Sequence, residues 1–161
     1  MFDNPIPISP EGRGILEVSL KPLQDVTLMP IEFKLDTGAD VTTISKSTLN
    51  DLGYSNDWIA TNAVKSTKMT LESAGFEKKP SCYVVMPTVN VHGKDFTNWW
   101  LYILPDKLDY PNLLGLDILR YFNFAFDYVK WEFELVPIDK PERTRELAEN
   151  QKVYNVDIKE T

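Results

Sequence analysis

The chain has 161 residues, 43% of them hydrophobic, so it is large and apolar enough to fold and is not disordered throughout. Its 24 acidic against 17 basic residues give a formal net charge of -7, which disfavours nucleic acid as a partner because phosphate backbones require a basic surface. One cysteine, no secretory signal at the amino end and no run of about 18 apolar residues predict a soluble cytoplasmic protein that lacks disulfides, cysteine-rich zinc sites and membrane spans.

The amino-terminal part predicts an extended arm followed by short strands and one helix. Three prolines and two glycines among the first fourteen residues favour an arm or loop. Apolar and polar residues alternate over 15–20 and again over 31–35, which is typical of half-buried strands. The β-branched run 41–44 predicts a further strand. Ser45 is suited to cap a short helix that ends at Gly53.

The middle of the chain predicts two hairpins. The first joins arms at 68–71 and 82–86 through a stretch of small and charged residues. The second has its turn at His92-Gly93-Lys94-Asp95, between two further apolar segments. No internal repeat is present, so the chain does not contain two copies of one unit.

The carboxyl-terminal part predicts a helix, a last hairpin and a charged tail. Apolar residues over 116–122 have helical spacing, and aromatic residues alternate over 124–135 around a turn. Beyond Pro137 the sequence is charged and has few large apolar groups. We therefore expect an arm at 1–14, a folded domain at 15–137 and a partly helical tail at 138–161.

Asp36 is the first candidate for a functional residue. The preceding strand is apolar, so the carboxylate lies beside buried surface, where a charged group is normally hydrogen-bonded or functional. Thr37 adds a hydroxyl that can lock the loop, and Gly38 allows a backbone angle or close approach that a Cβ would prevent. An ordinary acidic turn between two strands is the alternative, and spacing alone favours it.

Two motifs give the chain a resemblance to a known family. The segment Phe33–Ile44, with the sequence FKLDTGADVTTI, resembles the active-site segment of the retropepsin-like aspartic proteases. The segment Leu113–Leu119, with the sequence LLGLDIL, is similar to that family's second motif in its Gly-x-Asp-x-Leu form. Both occur in the family's order, and the resemblance covers about residues 15–136.

The resemblance implies an all-β, closed-barrel acid protease fold with one short helix after the second motif. It also implies an aspartic endopeptidase that hydrolyses peptide or protein substrates without a metal or other cofactor. Such hydrolysis requires two carboxylates that share one proton. Because Asp-Thr-Gly occurs once, the resemblance implies a homodimer in which Asp36 meets Asp36 of the partner chain. A non-catalytic dimer that serves binding or scaffolding is the alternative.

The same resemblance assigns roles to individual residues. Asp36 would be catalytic, with Thr37 and Gly38 supporting its loop. The residues that would bind substrate are Ala39, Asp40 and the candidate flap tip Ser73, Ala74 and Gly75. The residues of the second motif that would have a structural role are Leu114, Gly115 and Asp117. Viral members often carry Arg where this chain has Leu116, so Asp40 needs a different role, such as contact with substrate backbone or a basic group.

The remaining reactive and aromatic residues have simpler interpretations. Asp117 follows Gly115 on a short helix and is expected to hydrogen-bond locally rather than to be catalytic. His92 is expected to be a solvated turn residue, and Cys82 a buried structural thiol rather than a nucleophile. Trp99 and Trp100 would point to opposite faces of one strand, one into the core and the other into a pocket or interface.

Overall fold

β-Strands form most of the regular structure in the computed structural model, which describes residues 2–73, 76–104 and 111–138 and, within these, the side chains outside 66–80. The strands are β1 Ile6–Pro7, β2 Ile15–Leu20, β3 Met29–Leu35, β4 Thr43–Ile44, β5 Val64–Ser73, β6 Phe76–Val91, β7 Lys94–Ile103, β8 Leu113–Leu114, β9 Phe122–Asp127 and β10 Glu132–Pro137. The helices are α1 Lys46–Asp51, α2 Asn56–Asn62 and α3 Leu116–Leu119.

The larger sheet closes on itself as a barrel. Its strand order is β2-β3-β8-β4-β7-β6-β5, and a further antiparallel pairing of β2 with β6 completes the ring. The short strand β8 lies between β3, to which it is parallel, and β4, to which it is antiparallel. A smaller sheet has the order β1-β10-β9. The predicted all-β, closed-barrel fold with a short helix after the second motif is therefore confirmed.

The core follows the alternation in the sequence. In β2 the side chains of Leu16, Val18 and Leu20 are buried, whereas Glu17 between them is exposed. In β3 Phe33 is buried and lies opposite Leu16 across the strand pair. Burial of this alternating face is the main force that fixes the register of the two strands that lead to Asp36.

The predicted first helix is present with the predicted caps. The Ser45 hydroxyl accepts a hydrogen bond from the Thr48 amide at 3.1 Å, and Gly53 follows the helix with φ of +92°, which favours glycine. Helix α2 was not predicted. Its cap is Ser55, whose hydroxyl accepts from the amide of Trp58 at 3.1 Å.

The predicted hairpins are also present. Strands β5 and β6 pair as antiparallel arms, but the pairing extends through most of the predicted connecting stretch, with Leu71 opposite Lys79 and Ser73 opposite Phe76. Strands β6 and β7 are joined by His92 and Gly93, both at positive φ. Positive φ at both central residues defines the tight turn that matches strand twist. The pairing of β9 with β10 confirms the third predicted hairpin. The predicted helix in the tail lies outside the described residues.

Two parts of the backbone differ from expectation. The predicted strand over 41–44 is reduced to Thr43–Ile44, because the backbone of Val41 and Thr42 belongs to the loop after Asp36. Within the predicted arm, Ile6–Pro7 form β1 and pair with β10, and Ile8 is buried in the core. The domain boundary at residue 14 stays a prediction.

Three side chains, those of Trp100, Cys82 and His92, also differ from expectation. Trp99 and Trp100 are both buried, because each face of β7 is covered: Trp99 joins the main core, while Trp100 stacks on Tyr83 at 4.2 Å between ring centroids. Cys82 is half-buried and packs at the edge of the core, whereas full burial was predicted. His92 is half-buried in its predicted turn.

None of the helices within the described residues is long and apolar enough to cross a bilayer.

Candidate active site

Asp36 lies where β3 ends, at the junction of the two sequence motifs. Its backbone amide donates to the carbonyl of Leu114 at 3.0 Å, which extends the parallel pairing of β3 with β8 by one residue. Phe33 and Leu35 point into the core, so the strand delivers Asp36 to the rim of buried surface. Asp36 is half-buried, as expected for a carboxylate that borders an apolar core.

The Asp-Thr-Gly loop folds back on the Asp36 carboxylate. The amide of Gly38 donates to Oδ1 of Asp36 at 2.9 Å, and the amide of Ala39 donates to the Asp36 carbonyl at 3.2 Å. Thr37, Gly38 and Asp40 are exposed. Within the described residues, Oδ2 of Asp36 has no hydrogen-bond partner. The loop therefore orients the carboxylate through one oxygen and leaves the other available.

Gly38 does not have a positive φ, so its role is not the left-handed backbone that sequence reasoning allowed. A Cβ at this position would lie 3.2 Å from Oδ1 of Asp36 and would meet no other atom within 4 Å beyond its chain neighbours. Glycine at this position therefore allows the backbone of residue 38 to lie close to the Asp36 carboxylate.

The second motif supports this loop from behind. The amide of Leu116 donates to the Ala39 carbonyl at 2.8 Å, and the amide of Asp117 donates to the Asp40 carbonyl at 3.2 Å. A Cβ on Gly115 would collide with the carbonyl of Val41. The two predicted motifs thus form one unit, in which consecutive backbone groups after Leu114 hold consecutive parts of the loop.

Asp117 is the buried charge-bearing group of this unit. It is 2% exposed, and its carboxylate accepts from the hydroxyl of Thr42 at 2.7 Å, the indole N–H of Trp99 at 3.2 Å and the amide of Ile118 at 2.9 Å. Burial raises the pKa of Asp117 to about 6, while the hydrogen bonds from Thr42, Trp99 and Ile118 act in the opposite direction. The expected local hydrogen bond is present, from the Ile118 amide, but the other two donors come from distant parts of the chain, which was not predicted.

Thr42 and Trp99 are the members of the site that sequence reasoning missed. Thr42 was assigned to a β-branched strand, and Trp99 was weighed only as core or pocket. The available signal was a hydroxyl and an indole N–H within apolar segments, since such groups require a hydrogen-bond partner when they are buried.

The predicted flap is only partly described. Strand β5 ends at Ser73, which pairs with Phe76 at the start of β6. Ala74 and Gly75, the other residues assigned to the flap tip, lie outside the described residues. Substrate contact by Ser73, Ala74 and Gly75, and by Ala39 and Asp40 in the loop, stays a prediction.

Carboxylates and hydrogen-bond donors make up the chemistry of this site. Among the side chains that the structure describes, no three of His, Cys, Asp or Glu come together as a metal site. What the arrangement offers is an oriented, half-buried carboxylate on a loop that is fixed from behind. Such a group can accept a proton from water or share one with a second carboxylate.

This chain has a closed β-barrel with a single Asp-Thr-Gly loop, and a Leu-Leu-Gly motif and a short helix support that loop. These features define the single-lobe class of aspartic protease folds. The sequence profile of the family described as "gag-polyprotein putative aspartyl protease" matches residues 26–121, which is more than half of the chain. The chain belongs to this family, and the resemblance to retropepsin-like proteins is confirmed.

Several solved structures are similar to this chain. A retropepsin-like aspartic protease from Rickettsia conorii is 25% identical, with a TM-score of 0.60 over 82% of this chain and 88% of that one. The inhibitor-bound EIAV protease is 20% identical, with a TM-score of 0.47 over 71% of this chain and 91% of its own. The retroviral protease-like domain of Ddi1 from Leishmania major is 16% identical, with a TM-score of 0.45 over 78% and 95% of the two chains. Among curated proteins, no match was found.

Proposed function

We propose that this protein is an aspartic endopeptidase that works as a homodimer, with one Asp36 from each chain. The observation that carries the proposal is the Asp36 carboxylate itself. It is half-buried at the end of β3, one oxygen receives the Gly38 amide at 2.9 Å, and the other has no hydrogen-bond partner in the described part of the chain.

The homodimer follows from the chemistry of peptide hydrolysis. One carboxylate must take a proton from the attacking water while a second, protonated one polarises the scissile carbonyl. This chain contains one Asp-Thr-Gly sequence and no internal repeat, so the second carboxylate has to come from another copy. A two-fold axis beside Asp36 would place the same loop on both sides of the site, as a symmetric dimer requires.

The proposed substrate is a peptide or unfolded protein bound in extended form. Asp40 is exposed at the end of the loop, where its carboxylate can contact substrate backbone or a basic side chain. The flap at Ser73, Ala74 and Gly75 would cover the substrate.

We also place the protein in the cytoplasm, because its single cysteine, half-buried Cys82, requires no oxidising compartment.

Cleavage of an unfolded protein by the purified chain and by Asp36→Asn tests the proposal. The wild-type protein should cut the substrate, and Asp36→Asn should lose all turnover because the amide cannot act as a base. Asp51→Asn, which removes the same charge at an exposed position at the end of α1, should cleave like wild type. Equal turnover by Asp36→Asn would refute the mechanism. A folded wild-type dimer without turnover would instead favour the binding or scaffolding alternative.

A further inference from the structure

The loop after Asp36 is connected to the barrel by a relay of hydrogen bonds through the side chains of Thr42, Asp117 and Trp99. The amide of Gly115 donates to the hydroxyl oxygen of Thr42 at 3.1 Å, so the hydroxyl proton is free to point elsewhere. It points to Asp117, whose Oδ1 accepts it at 2.7 Å. Thr42 is 0% exposed, so no water competes for either bond. Each hydrogen bond in this relay therefore has one defined direction.

The other end of the relay is fixed in strand β7. The indole N–H of Trp99 donates to Oδ2 of Asp117 at 3.2 Å, and the amide of Tyr102 donates to the carbonyl of Thr42 at 3.0 Å. Within the described residues, the Asp117 carboxylate is the acceptor in each of its hydrogen bonds, from Thr42, Trp99 and the Ile118 amide. Loop, helix α3 and strand β7 are thus joined at one buried carboxylate.

This arrangement bears directly on the geometry of Asp36. Residues 36 and 42 bracket the loop, and both ends are held by the second motif: Asp36 through the carbonyl of Leu114, and Thr42 through Gly115 and Asp117. Loss of the Thr42 hydroxyl would remove its bonds to Gly115 and Asp117, so the second motif, which holds the loop from behind, could shift relative to Asp36. Such a shift would move the Gly38 amide that orients the Asp36 carboxylate.

We propose that Asp117 and Trp99 are positioning residues for the reaction, which act through the Thr42 hydroxyl to hold the Asp36 carboxylate in its reactive orientation. This role rests on the proposed function, because it concerns the orientation of the catalytic group. It differs from a merely structural role, in which loss of the relay lowers stability and leaves the orientation of Asp36 unchanged.

The test compares Thr42→Val with Thr42→Ser and Thr43→Val. Valine at 42 keeps the shape and removes the hydroxyl, while serine restores the hydroxyl. Thr43→Val makes the same substitution one residue away, at a buried hydroxyl oxygen without a hydrogen-bond partner among the described residues. Kinetics are measured well below each variant's melting temperature, so that all proteins are folded. Trp99→Phe removes the indole donor as an independent variant.

If Asp117 and Trp99 position Asp36 through Thr42, Thr42→Val should lower kcat about tenfold or more, while KM should change less than about twofold. Trp99→Phe should shift kcat in the same direction by a smaller factor. Thr42→Ser should recover most of the loss, and Thr43→Val should match wild type. Wild-type kcat in Thr42→Val, or equal loss in Thr42→Ser and Thr42→Val, would overturn the proposal.

Amide hydrogen exchange at Gly38 gives a readout that does not need turnover. In Thr42→Val the Gly38 amide should exchange several-fold faster than in wild type, and in Thr42→Ser and Thr43→Val it should not. Unchanged exchange in Thr42→Val would overturn the positioning role even if its melting temperature fell. If the wild-type protein cleaves nothing, the proposed function fails, and this comparison still decides whether the relay orients the loop.

Discussion

Gly115 lies against the backbone of Val41 so closely that no side chain can stand between them. A Cβ at position 115 would collide with the Val41 carbonyl and lie 2.9 Å from the carbonyl oxygen of Ala39. Both carbonyls belong to the loop that follows Asp36. The contact explains why the motif begins its helix with glycine: the first turn of α3 must approach the loop closely enough for the Leu116 and Asp117 amides to bond to it.

Gly115→Ala should therefore destabilise the fold. The atoms in the way are backbone and cannot rotate aside, so the loop or the helix has to shift, and we expect a loss of at least about 2 kcal/mol in the free energy of unfolding. Urea unfolding measures it. Gly93→Ala is the control, because its position is open but has a φ of +86°, which costs about 1 kcal/mol. A smaller loss in Gly115→Ala than in Gly93→Ala would contradict the packing argument.

Gly38→Val should affect activity more than stability. Gly38 is exposed and a Cβ there would meet only the Asp36 carboxylate, at 3.2 Å, so the barrel has little to rearrange. The valine methyls would crowd the carboxylate and the space where substrate backbone must approach. We expect kcat/KM to fall at least about tenfold while the melting temperature changes by only a few degrees. A loss of melting temperature as large as that of Gly115→Ala would contradict this separation of roles.

The proposed dimer predicts a concentration-dependent activity. Sedimentation at micromolar concentration should give about twice the 18.5 kDa mass of one chain. On dilution, specific activity should fall as the dimer dissociates, because each chain supplies half of the site. A monomer whose activity is linear to great dilution would be incompatible with a shared pair of Asp36 residues.

Local patterns in the sequence predicted much of the barrel correctly. Alternation of apolar residues located the two strands that lead to Asp36, and Ser45 and Gly53 marked the ends of α1. Helix α2 was missed because its sequence, NDWIATN, has only Trp58 and Ile59 as large apolar residues. Its remaining signal was the capping serine at position 55.

The contacts that assemble the site could not be predicted in the same way. Thr42 and Asp117 are separated by 75 residues and Trp99 and Asp117 by 18, so their meeting depends on the insertion of β8 between β3 and β4. The β-branched run after Asp40 favoured a strand by propensity. The hydrogen bonds of Thr42 to the second motif, however, hold Val41 and Thr42, the first two residues of that run, in the loop. Long-range hydrogen bonding overrode a local preference.

The buried carboxyl of Asp117 gives the protein a pH dependence of unusual sign for an acid. Its pKa is raised from 3.8 to about 6 by burial. Between these two values the folded state binds more protons than the unfolded state, so the free energy of unfolding contributed by this group falls as pH rises. Its contribution is greatest below about pH 4 and is lost by about pH 7, and the change across that window is about 3 kcal/mol.

Asp117→Asn isolates this contribution, because the amide does not titrate. Urea unfolding of wild type and variant at one protein concentration, from pH 3.5 to pH 7.5, cancels the titration of all other groups from the difference. The variant loses an acceptor for the Trp99 indole at every pH, which sets a constant offset. On top of that offset, the stability of wild type relative to the variant should decline by about 3 kcal/mol as pH rises through 4 to 6. A difference that stays flat, or that increases with pH, would mean that the folded protein does not favour the protonated form of Asp117.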